Sequence, residues 1–363
     1  MTVRRRFTLL GALAVLAAAL VGLLALTGLS DFDLSGRTTR PLAFETPEGR
    51  IQGTLLLPDA PTAAYVVLVH GDGPQDRTAG GGYLPLLNAL LDAGIAVYSW
   101  DKPGIGESEG NWLGQSMHAR ADEAQAALDA LIAARPDAAD RSGFLGFSQA
   151  GWVLPDLAAR PGTPTRFAVS IGAALDWQRQ GDYYTRRRLA AEGMPERRIS
   201  DELASLAARE DDAFARYARG EITRAEAARV FDVSPARFDF IRRNRFANAS
   251  SDLEHARIPY LAMWGEEDLN VDAAWNAAAC ERLLEESGTP HRVILVQDAT
   301  HSLLHSALFN HQLAGDWPWY ARVAFLGLGR AAYAPGTLET LTTWIRAAAS
   351  GPDAFKAAAS GAE

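Results

Sequence analysis

Ser148 stands in Gly146-Phe147-Ser148-Gln149-Ala150-Gly151, directly after the apolar run Gly143-Phe144-Leu145 and directly before a stretch of helical character from Trp152 to Arg160. A serine hydroxyl is a weak nucleophile until a base takes its proton, so a protein that uses one must hold the side chain where a histidine and a substrate reach it. A sharp strand-to-helix turn does this, and small residues on both sides of the serine relieve the crowding that the turn creates. Gly146 lies two residues before Ser148, and Ala150 and Gly151 follow it. The usual G-x-S-x-G pattern ends here in alanine, which is still small. Glycine-flanked serines also occur in ordinary turns, so the motif takes its weight from what else the chain carries.

Two further loops supply what such a serine needs. Trp264-Gly265-Glu266-Glu267-Asp268 follows an apolar run at Tyr260, and Gln297-Asp298-Ala299-Thr300-His301 follows the next one. Serine, acid and histidine in that chain order, each in a loop after a strand, make a relay in which His301 takes the Ser148 proton and Asp268 fixes the imidazole tautomer. Each residue has a plainer rival. Glu266 and Glu267 read as solvated loop charges, either of which could serve if Asp268 merely caps the following helix. His305 lies four residues after His301 and suggests a zinc pair, but His301-Ser302-Leu303-Leu304-His305 lacks the glutamate of the metalloprotease motif and no third ligand is evident. No metal and no cofactor is expected.

The elements that must position these residues are legible as short, nearly continuous apolar runs: Ala64 to Val69, Ile95 to Trp100, Gly143 to Phe147, Phe167 to Ile171, Tyr260 to Trp264 and Val293 to Val296. Strands buried on both faces look like this. Between them lie helical patterns, Leu84 to Ala93 and Ala119 to Ala134, the second with Ala124, Ala127, Leu128, Leu131 and Ile132 at spacings of three and four. A hairpin, Leu42 to Glu45 and Arg50 to Leu57 around Thr46-Pro47-Glu48-Gly49, leads in. Strand and helix alternating in this way predict a mostly parallel, doubly wound α/β sheet, with chemistry just beyond the strands' C-terminal ends. The long interval between Ile171 and Tyr260 is too long for a bare loop. It is charged and helical, with Ser200 as an N-cap before Asp201-Glu202, a capping box at Thr223-Arg224-Ala225-Glu226, and Ser234-Pro235 opening a third helix. The predicted organisation is an N-terminal targeting segment (1–30), a core in two pieces (31–175 and 257–350), a helical cap (176–256) and a flexible alanine-rich tail (351–363).

A formal charge of −9 argues against a nucleic-acid binder, which needs a basic surface to displace counterions from phosphate. The single cysteine, Cys280, excludes an intramolecular disulfide framework or a CxxC redox or metal site and reads as a small buried apolar residue. Arg4-Arg5-Arg6 precede an uncharged apolar run from Phe7 to Leu29. Its length, about 20 residues, favours an uncleaved signal anchor over a signal peptide, although Gly28-Leu29-Ser30 offers a processing site. Arg4-Arg5-Arg6-Phe7 also has some twin-arginine character. The arginines stay in the cytoplasm by the positive-inside rule, which predicts an extracytoplasmic domain tethered to the membrane, or a secreted or periplasmic one after cleavage. The aromatic group Trp317, Trp319 and Tyr320, with Phe325 and Leu326, reads first as core packing and second as a lipid contact.

Taken together, His70-Gly71-Asp72-Gly73-Pro74-Gln75-Asp76-Arg77, Asp101-Lys102-Pro103-Gly104-Ile105-Gly106-Glu107-Ser108, the Ser148 turn and the Asp268 and His301 loops resemble an α/β-hydrolase of the bacterial esterase branch related to dienelactone hydrolases and prolyl-oligopeptidase-type catalytic domains. The resemblance spans Leu42 to Arg346 apart from the cap. It implies Ser148, Asp268 and His301 as catalytic residues and the backbone N–H groups of Asp72 and Gln149 as oxyanion donors. Asp72 departs from the branch, which more often has a small neutral residue there, so its carboxylate is expected to point away or be paired. His70 is expected to shape the oxyanion loop and Asp101 to satisfy loop amides. The function implied is hydrolysis of a small acyl ester or thioester. A peptidase or amidase of the same fold, and a catalytically silent member binding a lipid or partner, are the alternatives, and serine at the elbow disfavours the aspartate-nucleophile branches. Oligomeric state is not legible.

Overall fold

The computed structural model describes residues 27–351. Its frame is an eight-stranded sheet in the order β1-β2-β4-β3-β5-β6-β7-β8, built from β1 (Thr38–Thr46), β2 (Gly49–Leu57), β3 (Ala64–Val69), β4 (Ile95–Trp100), β5 (Ser142–Phe147), β6 (Phe167–Ile171), β7 (Tyr260–Gly265) and β8 (His291–Val296). β1 and β2 form the expected hairpin, and β2 pairs antiparallel with β4. All remaining pairings are parallel. β1 starts four residues earlier than its apolar pattern suggests, at Thr38 opposite Leu57, because pairing along β2 depends on backbone groups and not on side-chain polarity.

The inner strands are buried on both faces, and the period of two decides which core each side chain joins. Tyr65, Val67 and Val69 of β3 pack with helices α2 (Met117–Ala134) and α3 (Leu154–Ala159) and with α9 (Ala273–Ser287), which comes after the insertion. Ala64, Val66 and Leu68 face the other way, against α1 (Leu84–Asp92) and the C-terminal α12 (Thr337–Ala349). Ser116 caps α2 by accepting from the Ala119 N–H at 3.0 Å, and α9 ends at Gly288, whose φ of 69° suits only glycine readily.

Five helices lie between β6 and β7: α4 (Trp177–Ala191), α5 (Glu196–Ala218), α6 (Arg224–Val230), α7 (Pro235–Asn244) and α8 (Ser250–Glu254). Thr223 forms the predicted capping box and Ser234 caps α7. Ser200 does not cap a helix. α5 starts at Glu196, straight after the extended Pro195, and Ser200 lies inside it. Phe214, Tyr217, Ile222 and Phe231 surround buried Ala227, Ala228 and Phe238, giving this segment a small core of its own.

The targeting segment predicted for residues 1–30 falls outside the described residues up to position 26, as does the tail from 352. Among the described residues no helix is long and apolar enough to cross a membrane.

Gly143 of β5 lies opposite Phe167 of β6, and a Cβ at Gly143 would run into the Phe167 ring, which in turn packs edge-on against Trp344 of α12. Gly143→Val is expected to push that ring out of its place and to lower stability by about 1–3 kcal/mol, read as a fall in the urea midpoint.

Candidate active site

The end of β5 determines where Ser148 sits. Its φ of 51° places it in the left-handed region that non-glycine residues rarely occupy, at the start of a tight helical turn, Ser148–Trp152, that precedes α3. The neighbouring small residues are explained by contact. A Cβ at Gly146 would come within 2.5 Å of the Ala150 Cβ, and one at Gly151 within 2.7 Å of the Ala173 Cβ. Alanine at position 150 is therefore compatible with the turn because position 146 is glycine. From the other side Gly71 lies against the elbow, its missing Cβ 3.4 Å from the Ser148 Cβ.

The acid and the histidine come together at the neighbouring strand ends. A Cβ at Gly265, the last residue of β7, would collide with the carbonyls of Ala299 and Thr300, so that glycine lets the two loops touch. Asp268 is buried, accepts from the N–H groups of Asn270 at 2.7 Å and Val271 at 2.9 Å through Oδ1, and accepts from His301 Nδ1 at 2.7 Å through Oδ2. A carboxylate only accepts, so Nδ1 carries the proton and Nε2 is left as the basic nitrogen. The His301 ring lies over Gly172, just past β6, where an added Cβ would be 2.8 Å from Nδ1 and Cε1. Burial pushes the imidazole pKa down, but the charge of Asp268 and its hydrogen bond outweigh that and hold it above the ordinary 6.5. His305 is not its partner on a helical face. It lies in a short bridge to Ala299 and its N–H donates to the Ala332 carbonyl, while Glu267 accepts from Ser306 Oγ at 2.8 Å. The Ser148 hydroxyl makes no hydrogen bond among the described residues, so the link from Ser148 to His301 is not closed in this structure.

The loop after β3 is held by two buried cations that sequence reasoning did not assign. Lys102 Nζ donates to the Gly71 carbonyl at 2.5 Å and the Gly73 carbonyl at 2.9 Å, and Arg120 Nη2 donates to the His70 carbonyl at 2.6 Å. No peptide bond is cis among the described residues. In a trans peptide C=O and N–H point in opposite directions, so the Asp72 N–H is turned away from the buried ammonium. Arg120 Nη1 also donates to Gln149 Oε1 at 2.6 Å, tying the loop to the residue after Ser148. Burial lowers the Lys102 pKa well below that of a free lysine, with the charge of Arg120 adding to the effect, and burial raises that of Glu123. Glu123 answers the cations and accepts from Trp100 Nε1 and Gln115 Nε2 at 2.8 and 2.6 Å. His70 is buried with Nε2 2.6 Å from the Trp100 carbonyl, and burial brings its pKa down to about 3. Asp101 accepts from the Arg77 backbone and guanidinium, as a loop-ordering residue should. Sequence did hold a signal for Arg120 and Glu123: both fall on the face of α2 that Ala124, Ala127 and Leu131 bury.

Asp72 is paired. Its carboxylate accepts from both terminal nitrogens of Arg237 on α7, at 2.8 and 2.5 Å, and from Gln149 Nε2 at 3.0 Å. Desolvation works to raise its pKa, but the Arg237 hydrogen bond and charge prevail and lower it. These groups line a cavity of about 100 Å³ together with Ser148, Trp152, Ala174, Trp177, Gln180 and Val271. The inserted helices also reach the acid loop, where the Tyr183 hydroxyl donates to the Asp268 carbonyl at 2.8 Å. Among the described residues no group of His, Cys, Asp and Glu is arranged to hold a metal ion.

Residues 60–307 match the model of a family described as serine aminopeptidase, S33. No curated protein matches the chain. Among solved structures it is similar to an esterase of Pyrococcus furiosus, with 16% identity over 73% of this chain and 84% of that one and a TM-score of 0.50. It is similar to a highly thermostable carboxyl esterase from Bacillus coagulans in complex with glycerol, with 17% identity over 72% and 90% of the two chains and a TM-score of 0.50. It is also similar to DcsB in complex with its substrate analogue, with 13% identity over 86% and 100% and a TM-score of 0.54. At these identities the likeness is one of fold.

Asp268→Asn removes the charge that raises the His301 pKa and leaves the burial that lowers it. The imidazole, followed by NMR, is expected to titrate below 6.5 in the variant and above it in the parent protein.

Proposed function

Since the chain belongs to the family described as serine aminopeptidase, S33, a family of α/β-hydrolases, we propose that it cleaves carboxylic esters or thioesters through an acyl-serine intermediate on Ser148. The observation that carries this reading is the 2.7 Å bond from His301 Nδ1 to the buried Asp268 carboxylate, which leaves Nε2 as a base at the rim where Ser148 is held. His301 takes the Ser148 proton as Oγ bonds to the acyl carbon, and the carbonyl oxygen gains the charge. The leaving alcohol or thiol departs with the proton from the imidazolium. Water then gives a proton to His301, attacks the same carbon, and releases the acid and free Ser148.

The N–H groups of Asp72 and Gln149 are the proposed oxyanion donors. Lys102 acts through the first of them, because fixing the Gly71 carbonyl orients the opposed Asp72 N–H of the same peptide before substrate arrives, while Arg120 steadies the loop at the His70 carbonyl and ties it to the Gln149 side chain. The segment 176–256 serves as a cap, contributing Trp177, Gln180 and Arg237 to the cavity wall. The Arg4-Arg5-Arg6 cluster and the apolar run behind it support an extracytoplasmic, membrane-tethered enzyme.

The family description favours a second reading, an aminopeptidase. Such an enzyme must bind a cationic amino terminus near the nucleophile, and Asp72, the one carboxylate that lines the cavity, is already held by both arms of Arg237. The cavity is smaller than the ~300–1,000 Å³ of sites for drug-sized ligands, which favours a short acyl group.

Ser148→Ala is expected to abolish turnover of p-nitrophenyl acetate and butyrate and labelling by a fluorophosphonate, with folding unchanged by circular dichroism. Turnover of aminoacyl p-nitroanilides above that of the esters would favour the peptidase instead. Lys102→Met should lower kcat by up to ~10²–10³, the loss seen on removing one oxyanion donor, with KM little changed in steady-state kinetics.

A further inference from the structure

Helix α11 (Trp319–Leu328), in the segment between β8 and α12, is apolar on both sides. Its inner side, Ala321 with Ala324, Phe325 and Leu328, packs with Leu304, Phe309 and Trp317. Its outer side carries Trp319, Tyr320, Val323 and Leu326, which are 76%, 53%, 59% and 44% exposed. Spacings of three and four put these side chains in one stripe. Arg322 is the sole charged residue of the helix. The aromatic segment therefore divides, with Trp317 and Phe325 in the core, as first expected, and Trp319, Tyr320 and Leu326 outside it. A helix apolar all round is ordinarily covered, and a contiguous exposed apolar stripe marks a contact.

The path of the chain bears on what covers it. Residues 27–30 are helical and run against the C-terminal end of α11, so closely that a Cβ at Gly28 would collide with the Gly327 carbonyl. Phe32 packs edge-on against Phe325 at 5.3 Å. Asp31 accepts from Arg330 Nε at 2.6 Å and from its backbone N–H at 2.7 Å. These contacts fix the point at which the uncharged run from Phe7 to Leu29 meets the folded domain, and that point is the C-terminal end of α11, next in the chain to Leu326 of the stripe. About 20 apolar residues are enough to span a bilayer, and tryptophan and tyrosine concentrate at its headgroup level.

We propose that the outer stripe of α11 docks on the lipid bilayer in which the N-terminal segment is anchored, with Trp319 and Tyr320 at the headgroups and Val323 and Leu326 at the acyl boundary. The bilayer contact goes beyond the hydrolase reading and does not depend on it. It makes the membrane a second, fixed support for the domain rather than a tether alone. Gln312, in the segment that leads into α11, donates to the carbonyls of Leu269 at 2.9 Å and Tyr184 at 3.0 Å, so that segment is tied to the loop after Asp268 and to the first inserted helix.

The test uses the full chain reconstituted in vesicles of phosphatidylcholine and phosphatidylglycerol, with an environment-sensitive fluorophore on Val323→Cys or, as aqueous reference, on the exposed Glu221→Cys. Cys280 is buried and does not compete for the label. The label at 323 is expected to show blue-shifted emission, quenching by doxyl-labelled lipids and loss of quenching by iodide, none of which occurs at 221. Iodide quenching at 323 equal to that at 221 would overturn the proposal, and so would failure of the full chain to bind the vesicles. Protection from iodide without doxyl-lipid quenching would mean that the N-terminal segment or a second copy covers the stripe, which also overturns it.

Discussion

A serine held at φ 51° costs of order 1–3 kcal/mol relative to a relaxed backbone, and it persists only where its surroundings leave no alternative. The surroundings of Ser148 meet that condition. β5 is the central strand that arrives from below, paired on one side with β3 and on the other with β6. Gly146 and Ala150 close the turn on themselves, Gly151 lets it press on Ala173, and Gly71 brings the neighbouring loop over the top. The rest of the site is arranged around that fixed point: a parallel sheet delivers β3, β6, β7 and β8 to the same edge, from which the loops bearing Gly71, Gly172, Asp268 and His301 leave.

The second constraint is electrostatic. On the proposed reading, the Asp72 N–H serves a charge that exists only during the reaction, so its orientation must be set by the protein itself. Lys102 supplies the hold from behind by binding the Gly71 carbonyl of the same peptide, and Arg120 steadies the loop through the His70 carbonyl and the Gln149 side chain. Two cations in the interior are tolerable because Glu123 lies beside them and because Asp72 and Arg237 close the network at its outer end. Fully hydrogen-bonded, such a network is rigid, and rigidity is what lets preorganised dipoles stabilise charge without reorganising first.

Sequence was a good guide where one residue type has one physical use. The six apolar runs became strands, five of them buried on both faces, whereas β8 is an edge strand only half-buried, with Leu295 exposed; the glycine-flanked serine and the two downstream loops were recognisable because turns of that shape restrict composition. Asp268 and His301 were identified from their place after strands, and the structure joins them. What sequence did not yield were pairings that depend on a helix turning a given side inward. Lys102 was visible within its motif, but its contact with Gly71 depends on a loop path, and Arg237 reaches Asp72 across 165 positions. Ser200 misled because Ser-Asp-Glu has the composition of a helix start wherever it occurs, whereas Pro195 decides where α5 begins. The aromatic segment was read correctly only in part, because apolar content does not tell which side of a helix faces the protein: Trp317 and Phe325 pack inside, whereas Trp319, Tyr320 and Leu326 are exposed.

These observations separate what is common to the fold from what is particular to this chain. The sheet, the elbow and the Asp268–His301 pair are built from elements whose geometry is set by backbone pairing and by glycines that nothing larger could replace. The cavity wall is different. Trp177, Gln180 and Arg237 come from the inserted helices, which have a small core of their own and also pack Trp177, Phe240 and Leu253 against the core of the sheet domain. On the proposed hydrolase reading, the insertion therefore contributes to acyl selectivity through these three of the nine lining residues, and above all through the Asp72–Arg237 pair, where one side chain from each part meets at the cavity edge. A substrate carrying either charge must compete with that pair, while a neutral acyl group leaves it intact. If the proposed ester hydrolysis holds, the physical bias of the site is thus toward uncharged esters, whatever the range of reactions the fold supports elsewhere.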